Sequence, residues 1–264
     1  MRSVRPITAV LRAILAAALG AALLAGCDLA TSSSPTTGPF DTPAPTAVPV
    51  DSFGVPIESI GPGDTGLPGF EGWRTINGQD VDIGSTESGL AMILTHKAQW
   101  FQASEGVLFY TFVSGDFRVT ATVQTQKTSD STQEPGGNGT TQLAGLMARA
   151  ETAAENYVFI ASGSDSNGLS VETGSTTDGN SRLEGPAWGS GDAELKLCRS
   201  GTTFTVWKRE INSGDNFTLA GTFKRDDLKG RLQVGANLYS DAAPDITALF
   251  DNLTIEPLDP GEAC

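Results

Sequence analysis

Residues 116–125 read DFRVTATVQT, and their alternation limits the fold more than any other feature of the chain. Phe117, Val119, Ala121 and Val123 fall on one side of an extended backbone, and Arg118, Thr120, Thr122 and Gln124 fall on the other. A period of two suits a half-buried strand and cannot line one face of a helix. RLQVGANLYS (231–240) repeats it, with Leu232, Val234, Ala236 and Leu238 inward and Gln233, Asn237 and Tyr239 outward. GLAMILT (89–95), VLFYTFV (107–113) and NFTLAGTF (216–223) are further strand-like runs, and ITALFDNLTIEP (246–257) closes the series. ELKLCRS (194–200) and TTFTVWKRE (202–210) flank Gly201 and read as a hairpin. QLAGLMARA (142–150) and NYVFIASG (156–163) are apolar on both sides, as central strands are. MARAETAAEN between them has helical propensity, but it is short and flanked by strands, so it is read as a hairpin connection. Many short strands without a long helical period predict an all-β sandwich or barrel.

The first residues follow a different rule. Arg2, Arg5 and Arg12 precede AILAAALGAALLAG, an apolar run too short for a membrane span of about 20 residues. A positive start, a short apolar core and small residues before a cut predict a secretory signal over residues 1–26. Leu24-Ala25-Gly26-Cys27 resembles the bacterial lipobox. That resemblance implies cleavage before Cys27, acylation of its thiol and new amino group, and an extracytoplasmic, lipid-anchored protein. DLATSSSPTTGPFDTPAPTAVPVDSFG follows, rich in Ser, Thr and Pro and without apolar period. Such a stretch buries too little surface to offset its ordering entropy, so residues 27–65 are expected to form a disordered tether. Residues 66–264 are expected to form one domain.

Charge narrows the partners. The chain carries −14 at neutral pH; residues 1–26 hold three Arg and no acid, so the remainder carries −17 from 14 basic and 31 acidic residues. An acidic domain is a poor partner for nucleic acid, whose phosphates need Lys and Arg. Cys198 and Cys264 are the cysteines beyond Cys27. Outside the cytoplasm they suit a disulfide pinning the tail to a strand, against the alternative of two unpaired thiols.

SGDFRVTATV, QLAGLMARAE, NYVFIASG, ELKLCRSGTTFTVWKR, VGANLYSD and ALFDNLTI together resemble the concanavalin-A-like jelly roll, more narrowly its bacterial laminin-G-like or glycosidase-appended modules. The likeness spans about residues 70–257 and implies a two-sheet antiparallel sandwich with one curved sheet offering a concave face. On that face the resemblance places Arg118, Gln124, Arg149, Trp207, Gln233, Asn237 and Tyr239, with Trp188 from the loop EGPAWGSGD. Amides, an arginine and aromatic rings suit a sugar; the alternatives are a solvated outer face and, for Trp188, a plug at the end of the sandwich. Asp251 shares the parity of Leu249, Leu253 and Ile255. If that side is inward the carboxylate needs a cation, and the resemblance implies a structural Ca²⁺ held with Asp80 or Asp82; a β-bulge turning Asp251 outward is the alternative. The paired-glutamate spacing of the fold's glucanases is absent, as are serine-hydrolase, zinc and phosphate-loop motifs. A non-catalytic glycan-binding domain is therefore expected. Its competitors are an envelope protein-interaction or structural module and a glycoside hydrolase with unrecognised carboxylates.

Metabolic labelling with a palmitate analogue is expected to mark the wild type and not Cys27→Ser, and the variant is expected to leave the membrane fraction. Equal labelling of both would remove the anchor.

Overall fold

The computed structural model describes residues 67–264 except 88, 137, 138, 260, 261 and 263; the signal segment, Cys27 and the tether lie outside the described residues. The described chain begins with β1 (Arg74–Ile76), one turn of 3₁₀ helix (Gly78–Asp80), β2 (Val81–Ser85), β3 (Gly89–Leu94), β4 (Val107–Val113) and β5 (Phe117–Gln126). Then come β6 (Gln142–Ala150), β7 (Tyr157–Asp165), β8 (Gly168–Thr177), β9 (Asn180–Glu184) and β10 (Ala193–Ser200). β11 (Thr203–Arg209), β12 (Thr218–Lys224), β13 (Leu232–Ser240) and β14 (Thr247–Pro257) complete it. Sheet I has the order β1-β4-β13-β6-β7-β8-β9, and sheet II the order β12-β11-β10-β5-β14-β3-β2. All pairings are antiparallel, and the architecture is a two-sheet jelly-roll sandwich.

Alternation builds the core. Phe117, Val119, Ala121 and Val123 of β5 point inward beside Leu195 and Leu197 of β10 and Phe204 and Val206 of β11. Leu232, Val234, Ala236 and Leu238 of β13 face them from the other sheet. Each fully buried large side chain contributes on the order of 2 kcal/mol of transfer free energy. The residues between them point away from this layer, so both outer faces are set by the same rule.

β6 and β7 are buried on both sides because sheet I carries a second apolar layer on its outer face. Trp100, Leu108, Tyr110, Leu143, Met147, Tyr157, Phe159, Ala161 and Tyr239 form it. Trp100 comes from the loop 95–106, which lies across the sheet. Gly106 admits its ring: a Cβ there would come within 2.1 Å of the indole Nε1.

Two further ties close the sandwich. Cys198 and Cys264 are bridged, with Cα atoms 5.9 Å apart, and the tail meets β5 where Arg118 pairs with Glu256 at 3.5 Å and Glu262 at 3.2 Å. Arg225, buried just after β12 of sheet II, donates to the carbonyls of Tyr157 (2.8 Å) and Thr176 (2.7 Å) and to Ser175 Oγ (2.9 Å) of sheet I. Asp227 holds the guanidinium in place at 2.9 and 2.6 Å. Arg225→Met strands those carbonyls and is expected to cost roughly 2–4 kcal/mol in urea unfolding. A change under about 0.5 kcal/mol would mean that the clamp is not needed.

Candidate functional site

The loop 95–106 turns part of the outer face of sheet I into a pocket. Its backbone is fastened at several points. Ala98 and Ser240 exchange amide hydrogen bonds at 3.2 and 2.8 Å. The Gln102 amide donates to Ser181 Oγ at 2.9 Å, and Tyr157 Oη donates to the Ala103 carbonyl at 3.0 Å. Ser104 Oγ donates to the Ala154 carbonyl at 2.9 Å. Trp100 is thereby buried, its ring centroid 5.3 Å from that of Tyr157. The next residue, Phe101, is left 41% exposed; it and Leu219 are the exposed large apolar side chains among the described residues.

Beside this loop lies a pocket of about 360 Å³. Phe101, Phe159, Leu183 and Tyr239 supply its apolar surface, and Gln99, Asn167, Asp165, Glu172 and Asp241 its polar one. The β7–β8 hairpin brings Asp165 and Glu172 to one wall, through the two-residue turn Ser166-Asn167. Gly185 keeps that wall open. A Cβ there would stand 3.1 Å from Asp165 Oδ2 and 3.8 Å from Glu172 Cγ.

Glu172 is the perturbed group. It is buried, and its Oε1 accepts a hydrogen bond of 2.7 Å from Tyr239 Oη. Burial pushes its carboxyl up to about 7; the Tyr239 hydrogen bond opposes this, and the Asp165 and Asp241 charges reinforce it. Burial, then the Glu172 charge, holds the Tyr239 hydroxyl well above its ordinary value. The site therefore carries a carboxyl that changes charge near neutral pH, next to two further carboxylates.

The expected ligand residues are not on one face. Arg118, Gln124 and Trp207 belong to β5 and β11 of sheet II. Arg149, Gln233, Asn237 and Tyr239 belong to β6 and β13 of sheet I. Outward parity was readable within each strand, but which sheet each strand joins is fixed only by pairing. Of the eight, Tyr239 alone lines the pocket. Arg149 is buried and spent on Gln233 Oε1 and the Ala154 carbonyl. Trp207 lies under Lys196, whose Nζ is 4.8 Å from its ring centre and 4.7 Å from that of Phe217. Asn237 is buried between Leu108 and Gly145, and its side-chain amide has no hydrogen-bond partner among the described residues. Trp188 is half-buried against the core, donates to the Asp192 carbonyl at 3.1 Å, has Lys208 Nζ 4.3 Å from its ring centre and lines a second cavity of about 330 Å³ with Asp192, Glu210 and Ile211.

Asp251 is placed apart from Asp80 and Asp82, either of which was expected to share a cation with it. Phe250 and Ala248 face the core, so Asp251 points outward with Leu249. A bulge after Asp251, with Asn252 at φ 53°, then restores Leu253 and Ile255 to the core side. Asp82 pairs with Ile93, which pairs with Thr247, four residues along the ladder from Asp251. Asp80 sits in the 3₁₀ turn beside His96 at 3.6 Å. Among the described residues no group of three His, Cys, Asp or Glu is placed to hold a metal ion.

Sequence reasoning passed over β8 and β9, and with them Glu172. LSVETGSTT (169–177) is mostly Ser, Thr, Glu and Gly and shows little apolar alternation. The usable signal was Asp178-Gly179: both have positive φ, 48° and 78°, as a two-residue hairpin turn requires.

No protein-family model matches the chain, and no curated protein matches it. Solved structures do resemble it. A functionally unknown protein from Saccharomyces cerevisiae is 11% identical with a TM-score of 0.59, over 71% of this chain and 97% of that one. The likeness shows a shared fold. A carbohydrate-binding module from Bacillus subtilis is 18% identical with a TM-score of 0.46, over 70% of this chain and 95% of that one. A legume lectin-like domain from Entamoeba histolytica is 8% identical with a TM-score of 0.41, over 71% and 90%. Likeness at this level bears on architecture alone.

Folded Glu172 keeps its proton to about pH 7, while the unfolded chain releases it near 4.5. Between those values the folded state holds the extra proton, so stability is greatest at the acid end and falls as pH rises, levelling above about 7. Comparing urea unfolding at pH 5 and pH 8, the wild type is expected to lose roughly 2–3 kcal/mol more than Glu172→Gln. Parallel pH profiles for the two proteins would refute the assignment.

Proposed function

We propose that the protein binds a glycan in the pocket on the outer face of sheet I, as a domain held at an extracytoplasmic membrane surface by lipid on Cys27. The supporting observation is the combination in one 360 Å³ cavity of a solvent-facing ring, Phe101, with carboxylates and amides from four segments of the chain. A pyranose has an apolar C–H face and a rim of hydroxyls. Phe101 suits the face; Asp165, Asp241, Gln99 and Asn167 suit the rim. A protein-docking role would call for a contiguous apolar patch, and among the described residues the exposed large apolar side chains stand singly, Phe101 on the loop over sheet I and Leu219 on sheet II.

Hydrolysis is the second reading, favoured by Glu172. A carboxyl that holds its proton near neutral pH can protonate a leaving oxygen, and Asp165 and Asp241 line the same pocket. Incubating the protein with an oligosaccharide panel separates the readings: release of shorter sugars, abolished in Glu172→Gln, would establish hydrolysis.

For binding, calorimetry of the same panel is expected to find at least one oligosaccharide ligand. Phe101→Ala should weaken it roughly five- to tenfold through the lost ring contact, and Gly185→Val should block it by filling the pocket wall. Absence of binding to neutral, acidic and amino sugars alike would end the proposal.

A further inference from the structure

We infer that the outer face of sheet I carries a second site, at the opposite end of β13 from the pocket, in which Arg74, Arg149 and Gln233 take the carboxylate of an acidic saccharide. None of these residues lines the pocket, so the inference stands apart from the reading above.

The arginines carry it. Beyond residue 26 the chain has 31 acidic residues against 14 basic ones, so a guanidinium without a carboxylate is the exception. Arg118, Arg182, Arg209, Arg225 and Arg231 each pair with one. Buried Arg199 spends its three nitrogens on the carbonyls of Gly201, Gly230 and Lys229. Arg74 and Arg149 are left, without an ion pair among the described residues, and strand pairing brings them to one patch. Gln233 of β13 stands opposite Phe112 of β4 on one side and Arg149 of β6 on the other. Arg74, on the neighbouring strand β1, lies over the Phe112 ring with Cζ 5.5 Å from its centre.

Arg149 is the second pointer, because it is only 7% exposed and still has an unused donor. Nε donates to the Ala154 carbonyl at 2.9 Å and Nη1 donates to Gln233 Oε1. Nη2 has no acceptor among the described residues, and it is not sealed from the surface. Burial holds the guanidinium below its ordinary value, and the groups that oppose this are Tyr110 and Tyr157 rather than a carboxylate. Gln233 gives its carbonyl oxygen to Arg149, so its NH₂ group is turned away and open to a ligand. The carboxylate of the patch, Glu151, is held through both oxygens by Arg231, which is itself fixed 4.2 Å from the Phe112 ring centre. A guanidinium edge beside an amide donor fits the two oxygens of a carboxylate.

The surroundings select the carrier. An anionic bilayer would bring its whole surface against a domain whose net charge is strongly negative, whereas a saccharide strand touches the patch alone. An acidic peptide would need a groove or free strand edge for its backbone, and β4, β13 and β6 lie inside the sheet. A uronate carries its carboxylate directly on a ring, so holding it costs little conformational entropy.

Calorimetry at pH 7 and low salt on the detergent-solubilised full chain tests this with trigalacturonate, its methyl ester and triglutamate. Trigalacturonate is expected to bind at least about tenfold more tightly than the other two. Arg149→Gln should abolish that binding and Arg74→Gln should weaken it about fivefold. Lys224→Gln, which removes the same charge from sheet II, should change it less than about twofold. If the ester or the peptide binds equally or more tightly, or if trigalacturonate does not bind, the inference falls and the pocket reading is untouched. If Lys224→Gln weakens binding as much as Arg74→Gln, overall charge is responsible and the inference is overturned. Sedimentation of the Cys27→Ser chain with phosphatidylglycerol vesicles, lost in Arg74→Gln, would give the patch to lipid headgroups and overturn it as well. A further measurement does not depend on the Arg149 variant folding. Trigalacturonate added to the wild type should shift the Arg149 Nε–H resonance and the backbone amides of residues 74, 149 and 233; shifts confined to residues 165–167 would place the ligand in the pocket and end the inference.

Discussion

One side of nearly every strand is committed to the apolar layer between the sheets, and that commitment shapes the rest. Phe117, Phe204 and Phe250 from sheet II and Val234 and Leu238 from sheet I cannot turn outward without opening the core. A strand's next residue must then face away. Whatever this protein does, it does with outward residues or with loops laid over them.

The two outer faces are used differently. On sheet II the outward side chains are engaged with one another: Lys196 between Trp207 and Phe217, Arg209 over Phe217 at 4.4 Å, and Arg118 on the disulfide-pinned tail. Sheet I is instead roofed in part by the loop 95–106. Trp100 seals the covered half, and the uncovered half becomes a cavity bounded by Phe101 and the β7–β8 hairpin. The same packing that hides Trp100 and Tyr239 also desolvates Glu172. The perturbed carboxyl is thus a by-product of how the roof meets the sheet, and it falls where the cavity is.

Much of the fold was legible. The clean alternation in β5 and β13 reports the core side of each strand, and the double-sided apolarity of QLAGLMARA and NYVFIASG reports their central place. Little of the site was. β8 lies toward the edge of its sheet and contributes Val171 to the core, so its sequence lacks the apolar rhythm that marks a strand. Asp251 could be read either way because one extra residue at Asn252 reverses the parity after it.

By itself the sequence determined the alternation of buried and outward residues, and with it a sandwich, because side-chain direction along an extended chain follows from local geometry alone. Only the tertiary structure decided which outward residues share a face. Arg118 and Tyr239 look equivalent in their strands yet lie on opposite sheets. Asp165, Glu172 and Asp241 come together because strand pairing and a folded-over loop join segments that no local rule connects.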